Sequence, residues 1–281
     1  MPTFDTPKPI SVTLSFGLVG ANVRLDVSDR TDTTVDVRPN DASSKADRKI
    51  AEQTRIEYAD GELSIRGPKL GSLFSRTGGI DVTIAAPAGS RVQGETGMGE
   101  FRCAGRLGEC RFKSGYGDIR LDRADTATLK SGSGDIVVDH VTGGAEVTAS
   151  NGAIRVRRID GPATVKNSNG ASWIGEAGGE VRLNAANGEI VVDRAHAGVT
   201  AKTANGSVRI GEVARGAVTL ETAAGNLEVG IRAGTAAWLD LKTVAGHVRN
   251  ELDVSAGPEG ADETVEVRAN TYVGDIIIRR S

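Results

Sequence analysis

The sequence has few aromatic residues and no long apolar run. Aromatic residues make up 4% of its 281 residues, whereas glycine occurs 37 times. Aromatic side chains supply much of the bulk of an ordinary globular core, so this composition favours thin β layers that pack small side chains. No stretch approaches the run of about 18 apolar residues that indicates a membrane-spanning helix, and we expect no membrane insertion.

Cysteine is equally scarce, because Cys103 and Cys110 are the two that the sequence contains. Two cysteines in a chain of this length do not form a disulfide framework. Their spacing also differs from the Cys-x-x-Cys pattern of metal and redox sites. We therefore expect two reduced thiols.

The sequence also lacks a basic excess and a leader. Lys and Arg number 34 and Asp and Glu 37, giving a formal net charge of -3. A nucleic-acid-binding domain usually carries a basic patch, so we expect no nucleic-acid partner. The start, MPTFDTPKPISVTLSF, has no basic segment followed by an apolar one, and a cytoplasmic location is expected.

The main feature of the sequence is a repeat of about 18 residues. A glycine precedes an apolar-x-apolar triplet at intervals of 17 to 19 residues from Gly99 to Gly225, with longer intervals afterwards. Each interval holds two alternating runs, such as Val181-x-Leu183 and Ile190-x-Val192, and this alternation indicates β-strands. The repeated glycines are Gly99, Gly117, Gly134, Gly152, Gly170, Gly188, Gly206, Gly225, Gly246 and Gly274.

Two architectures place a strand pair in each repeat. In an antiparallel meander, Asn205-Gly206 is a hairpin turn that sets Lys202 opposite Arg209, and facing like charges are destabilising. In a β-solenoid, equivalent strands of successive coils pair in parallel, and the clash disappears. We therefore predict an all-β, single-domain β-solenoid with about 18 residues per coil. Its predicted outward column is Arg120, Val137, Arg155, Trp173, Val191, Arg209, Glu228 and Arg249.

The solenoid explains a repeated Asn-Gly. Asn and Gly tolerate the left-handed backbone of a sharp corner. Stacked Asn amides also hydrogen-bond along a ladder, as in cross-β structures. We predict such a structural ladder from Asn151, Asn169, Asn187 and Asn205.

The predicted domain has three parts. Residues 1–93 form irregular N-terminal coils and a cap, with a short helix after Ser43 or Ser44. Residues 94–253 form regular coils, and residues 254–281 form the final coil with an inserted loop. Arg279 and Arg280 at the C-terminus are expected to discourage edge-to-edge growth of the sheet.

Several segments resemble the bacterial β-strand repeat-containing "putative adhesin" family, a domain family of unknown function. The resemblance is carried by GDIRLDRA, SGSGDIVVD, VKNSNGASWIGE, AANGEIVVDRA and KTANGSVRIGEV, and it is best from Gly94 to Asp253. It implies a β-solenoid fold, and it carries over no catalytic residue.

No cofactor or metal is expected. Asp118, Asp135 and Asp275 directly follow the repeated glycines, out of register with calcium-binding nonapeptide repeats. The three histidines fall at different phases of the repeat, so no zinc site is predicted.

One cluster of carboxylates suggests chemistry of a different kind. Asp118, Asp122, Asp135 and Asp139 fall on two adjacent coils, and paired carboxylates cleave glycosidic bonds in many β-helical enzymes. The competing interpretation is turn-favouring Asp at a solvated corner, and we prefer it.

The outward column contains an unusual apolar patch. Trp173 and Val191 are neighbours in this column, flanked by Arg155 and Arg209. These four residues, called the Trp173 patch below, have the composition of an interface hot spot. The competing interpretation is cation–π packing of the two arginines on the indole, without a partner.

These observations predict a binding or scaffold module that is not an enzyme. It would present flat β surfaces to a protein or glycan partner through the Trp173 patch. Two alternatives are a polysaccharide-active enzyme that uses the Asp cluster and a self-associating structural protein.

Overall fold

The computed structural model describes residues 1–68, 78–252 and 263–281. The chain divides into two compact units, Met1–Thr142 and Gly143–Ser281, called unit 1 and unit 2. Most of the two predicted loops, 71–79 and 255–263, lies outside the described residues.

Unit 1 is built from β-strands and one short helix in its described part. The helix is α1 (Lys45–Gln53). The strands are β1 (Thr3–Asp5), β2 (Ser11–Ser15), β3 (Gly20–Ser28), β4 (Asp32–Pro39), β5 (Arg55–Ala59), β6 (Glu62–Arg66), β7 (Gly79–Pro87), β8 (Arg91–Met98), β9 (Phe101–Tyr116), β10 (Ile119–Ser133) and β11 (Ile136–Val141).

The first strands of unit 1 do not lie at the end of its stack. β2 pairs in parallel with β8 on one side and with β6 on the other. β3 pairs in the same way with β9 and β7. Antiparallel strands cover the outer edges, since β5 pairs with β6, and β4 lies between β7 and β1. The assignment of residues 1–93 as irregular coils and a cap stays a prediction.

Helix α1 begins where the sequence predicts. The Ser44 hydroxyl accepts the backbone N–H of Asp47 at 3.3 Å and donates to the Asp47 carboxylate at 2.8 Å. Capping satisfies one of the unpaired N–H groups of the first turn. Ile50 is buried on the face that packs against β4 and β7.

Unit 2 consists of strands in its described part. They are β12 (Ala145–Asn151), β13 (Ile154–Ile159), β14 (Ala163–Asn169), β15 (Ser172–Ala177), β16 (Val181–Asn187), β17 (Ile190–Ala195), β18 (Val199–Asn205), β19 (Val208–Val213), β20 (Gly216–Ala224), β21 (Leu227–Ile231), β22 (Thr235–Ala245), β23 (Val248–Asn250), β24 (Glu263–Val273) and β25 (Ile276–Arg280).

These strands form a β-solenoid, which confirms the predicted fold class. Trp173 pairs with Val191 and Asn169 with Asn187, so equivalent residues 18 positions apart lie side by side in parallel strands. Lys202 contacts Glu221 of the next coil at 2.8 Å, as the parallel arrangement requires. The predicted domain boundaries at residues 93 and 253 stay a prediction.

Small branched side chains fill the interior of each coil. In the coil from Ile190 to Ala201, for example, Ile190, Val192 and Ala201 have no exposed surface. Fully burying a Val or Ile side chain contributes about 1.5–3 kcal/mol, so a stack of thin layers gains stability without aromatic bulk. The exception lies in unit 1, where the rings of Phe101 and Phe112 stack at 4.5 Å.

The C-terminal strands do not stack in the order in which they follow one another along the chain. β24 lies between β20 and β22, and β25 lies between β21 and β23. The prediction that Arg249 follows Glu228 in the outward column is wrong, because Ile277 lies between them. The expectation that Arg279 and Arg280 discourage edge-to-edge growth stays a prediction, because β23 pairs with β25 from Ile276 to Ile278 and does not reach these two arginines. The repeat fixes which residues point inward, but it does not fix which coil is the neighbour.

The corners depend on glycine. Gly188 has a φ of +142°, and Gly170 and Gly206 have similar positive values. A Cβ added to Gly188 would collide with the carbonyl oxygen of Gly170 in the preceding coil. These corners therefore need a residue that has no side chain and adopts a positive φ.

We predict that Gly188→Ala lowers the free energy of unfolding by roughly 1–3 kcal/mol or more, because both the backbone conformation and the contact with Gly170 become unfavourable. Gly144→Ala is the matched control, since its added Cβ meets its nearest neighbour at 3.5 Å, an ordinary contact. Urea denaturation of both variants measures the difference. Equal stability of the two would contradict the role of the corner.

Candidate functional site

The structure brings the Trp173 patch together on one outward sheet face of unit 2. Arg155 pairs with Trp173, Trp173 with Val191, and Val191 with Arg209. The four residues therefore occupy successive rungs of one column. Both arginines are exposed, while the tryptophan and the valine are half-buried.

The indole of Trp173 is fixed against the sheet. Its Nε1 donates a hydrogen bond to Asp193 Oδ2 at 3.1 Å. Its six-membered ring lies above Gly175, where an added Cβ would meet ring atoms at 3.0 Å. Gly175 and Asp193 therefore belong to the site. The sequence could have indicated both residues, because Gly175 lies two positions after Trp173 and Asp193 lies two positions after Val191.

Alternating charges border the patch along the same strands. Arg158, Glu176, Arg194 and Glu212 are partners in successive strands. Glu176 lies 3.4 Å from Arg158 and 3.8 Å from Arg194, and it shares a 3.0 Å hydrogen bond with His196. The bond to His196 is the main reason why the pKa of Glu176 is lowered. This ladder was visible in the sequence as alternating charges at 18-residue intervals.

We predict that Asp193→Ala increases the mobility of the Trp173 indole, because the ring loses its hydrogen-bond acceptor. In a Trp238→Phe background, acrylamide quenching of the remaining tryptophan should rise. Asp193→Asn keeps an amide oxygen at the same place and serves as the control. Identical quenching of the Ala and Asn variants would contradict this role of Asp193.

The predicted Asn ladder is present. Asn169 donates to Asn151 at 3.0 Å, Asn187 to Asn169 at 3.0 Å, and Asn205 to Asn187 at 2.9 Å. The next residue in register is Ala224, where the row of amides ends. The ladder ties successive corners together, which is a structural role.

We predict that Asn187→Ala lowers the free energy of unfolding by about 1 kcal/mol, because two exposed hydrogen bonds of the ladder are lost. Asn184→Ala, at an exposed position of the same strand, should change it by less than about 0.5 kcal/mol. Chemical denaturation distinguishes the two. A loss as large for Asn184 as for Asn187 would argue against the ladder.

The Asp cluster holds the backbone in place. The Asp118 carboxylate accepts the backbone N–H of Asp135 at 2.9 Å, and the Asp122 carboxylate accepts that of Gly105 at 3.0 Å. The same contact recurs in unit 2, where Asp275 accepts the N–H of His247 at 2.8 Å. This hydrogen bond is the main cause of the lowered pKa of Asp275. An Asp directly after a corner glycine thus caps the neighbouring coil at Asp118 and at Asp275.

The cysteines and the other groups that could bind a metal lie as follows. Cys103 and Cys110 are free and buried, and burial raises the pKa of both thiols far above the usual value. In residues 1–68, 78–252 and 263–281, no three His, Cys, Asp or Glu side chains gather into a group that could hold a metal. Within those same ranges, no helix has the length and apolarity needed to cross a membrane.

Comparison with known protein families shows which family the chain belongs to. The sequence profile of Toastrack DUF4097 matches residues 13–276, nearly the whole chain. The chain belongs to the Toastrack DUF4097 family. The resemblance seen in the repeats is thereby confirmed. No curated protein matches the chain.

Three solved structures that are similar to this Toastrack chain come from Parabacteroides species. A "putative adhesin" from Parabacteroides distasonis is 14% identical, with 98% of this chain and 95% of that one covered and a TM-score of 0.46. A "putative lipid binding protein" from the same species is 11% identical, with the same coverage and TM-score. A "putative adhesin" from Parabacteroides merdae is 10% identical, covers 100% and 95%, and has a TM-score of 0.43.

Proposed function

We propose that this Toastrack protein is a non-enzymatic binding module that presents the Trp173 patch to a protein or glycan partner. The observation that carries the proposal is the indole of Trp173, which lies over Gly175 on an outward sheet face and donates a hydrogen bond to Asp193. A side chain that is already ordered loses little conformational entropy when a partner covers it.

The composition of the patch supports the same function. Tryptophan and arginine are the residues most enriched among those that dominate binding energy. Here an apolar centre of Trp173 and Val191 is flanked by exposed Arg155 and Arg209. Such a centre with a polar rim is the usual anatomy of an interface.

The coil that carries Trp173 is also irregular inside. Ser172 is buried where the neighbouring coils place Ile154 and Ile190. Asn167 is buried in the same coil, and its Oδ1 has no hydrogen-bond partner among the described residues. Local departures from an otherwise consistent pattern concentrate at functional sites, which favours this coil over its neighbours.

The polysaccharide-active enzyme is the weaker candidate. Its acid and base would come from the Asp118/Asp135 cluster, but the Asp118 carboxylate accepts the backbone N–H of Asp135 in the next coil. No comparable observation supports binding of substrate at that corner. The cytoplasmic location stays a prediction.

We expect the wild-type protein to capture a partner from the native lysate that Trp173→Ala fails to capture, because truncation removes the centre of the patch. Mass spectrometry identifies the partner, and calorimetry with the purified partner should show a loss of about 2 kcal/mol or more. A glycan array with the same two proteins detects a carbohydrate partner.

Arg182→Ala is the matched control for this experiment. Arg182 lies on the other sheet of the same coil, and its side chain is 70% exposed. It should bind like the wild type. Identical captured proteins and identical array signals for the wild type and Trp173→Ala would overturn the proposal.

A further inference from the structure

Strand β22 leaves one edge of unit 2 open. Its residues pair with β24 from Thr235 to Ala245, and in the described part of unit 2 no strand pairs with its other side. An open edge presents a row of unpaired backbone N–H and C=O groups to another strand. Eleven residues form this row.

Two of the usual protections of an edge strand, a proline and a bulge, are missing from β22. Its sequence, TAAWLDLKTVA, contains no proline, and its register with β24 runs without a shift. Its inward positions are uncharged, and Leu239 and Leu241 stay half-exposed. In the interior coil of β20, by contrast, Val218 and Leu220 have no exposed surface. The end layer of the core is therefore incompletely covered by the described residues.

The outward face of β22 carries both large apolar groups and opposite charges. Trp238 is 56% exposed and Val244 is 70% exposed. Asp240 and Lys242 lie between them, with Lys242 Nζ 3.2 Å from Asp240 Oδ1. Arg268 of β24 lies over the Trp238 ring, 5.8 Å from its centroid, and leaves more than half of the side chain exposed.

We infer that β22 pairs in antiparallel fashion with β22 of a second copy of this chain, about a two-fold axis at Leu241. In this register Asp240 faces Lys242 of the partner subunit, and Trp238 faces Val244 of the partner subunit. Two-fold symmetry makes each of these contacts twice. Oppositely charged and aromatic–aliphatic cross-strand pairs each stabilise a sheet by about 0.2–1 kcal/mol.

Charge selects this register over its neighbours. Moving the axis to Asp240 sets that carboxylate against Asp240 of the partner subunit. Moving it to Lys242 sets two ammonium groups against each other. Both alternatives place like charges directly opposite, which is destabilising. The Leu241 register also lays Leu241 against Leu241 of the partner subunit on the inward face, and this covers the end of the core.

The test is the oligomeric state of the full chain. Sedimentation equilibrium should show a concentration-dependent dimer of the wild type. Asp240→Lys should raise the dissociation constant of the dimer by roughly tenfold or more, since two attractive contacts become repulsive. The double variant Asp240→Lys/Lys242→Asp restores opposite charges and should dimerise like the wild type. This rescue separates a lost contact from a folding defect.

Disulfide trapping tests the register. Residues directly opposite in an antiparallel pair have Cβ atoms about 4.5–5.5 Å apart. Leu241→Cys should therefore cross-link two copies under mild oxidation. Thr243→Cys is the control, because in this register its equivalent lies roughly 13 Å away along the strand. The native Cys103 and Cys110 are buried and should not contribute.

Three results would overturn the inference. They are a wild type that stays monomeric at every concentration, a dimer that Asp240→Lys leaves unchanged, and cross-linking by Thr243→Cys but not by Leu241→Cys. Trp173→Ala changes the other sheet and should leave the dimer intact. Loss of partner binding and loss of dimerisation are thus separate outcomes.

Discussion

The structure depends on the close approach of glycine backbones at the corner between two strands of a coil. Gly188 donates its N–H to Asn205, while its own Cα sits against the carbonyl of Gly170. A side chain at this point would separate two coils and break the parallel pairing on both sides of the corner. Because an interior strand draws its backbone partners from the coils on both sides, one misplaced corner would affect both sheets.

Polar groups at the corner are satisfied by rows of equivalent side chains. Exposed Asn amides bond to one another. At several corners, a hydroxyl three residues before the corner glycine donates to the carbonyl of a glycine one coil away, as Thr203 and Thr222 do. The residue after the glycine accepts a backbone N–H, as Asn226 does for Asp275. These rows explain why Ser, Thr, Asn and Asp recur at the corners. Sharing one hydrogen-bond geometry among many coils lets single coils differ on their outward faces.

The outward face differs most from its neighbours in the coil that carries Trp173. Its neighbours place arginine and valine on the outward face, whereas this coil places a large indole there and positions it with Asp193 and Gly175. The cost falls inside the same coil, where Asn167 and Ser172 replace apolar or hydroxyl-bearing residues and one amide oxygen is left without a partner among the described residues. Strand β22, at the edge of unit 2, also departs from the repeat pattern. A strand with no further coil to pair with keeps uncharged inward residues and a self-complementary outward face.

The sequence by itself determined the solenoid, the inward and outward phases, the Asn ladder and a helix cap at Ser43 or Ser44. These features follow from local chemistry that repeats: alternation sets the faces, glycine sets the corners, and like charges exclude the hairpin. Only the tertiary structure decided that β24 and β25 enter between earlier and later coils. It also decided that Asp118 serves a backbone N–H and that the indole of Trp173 reaches Asp193. Each of these depends on which coil is the neighbour, and an 18-residue period carries no information about that, since every coil offers the same backbone to its neighbours.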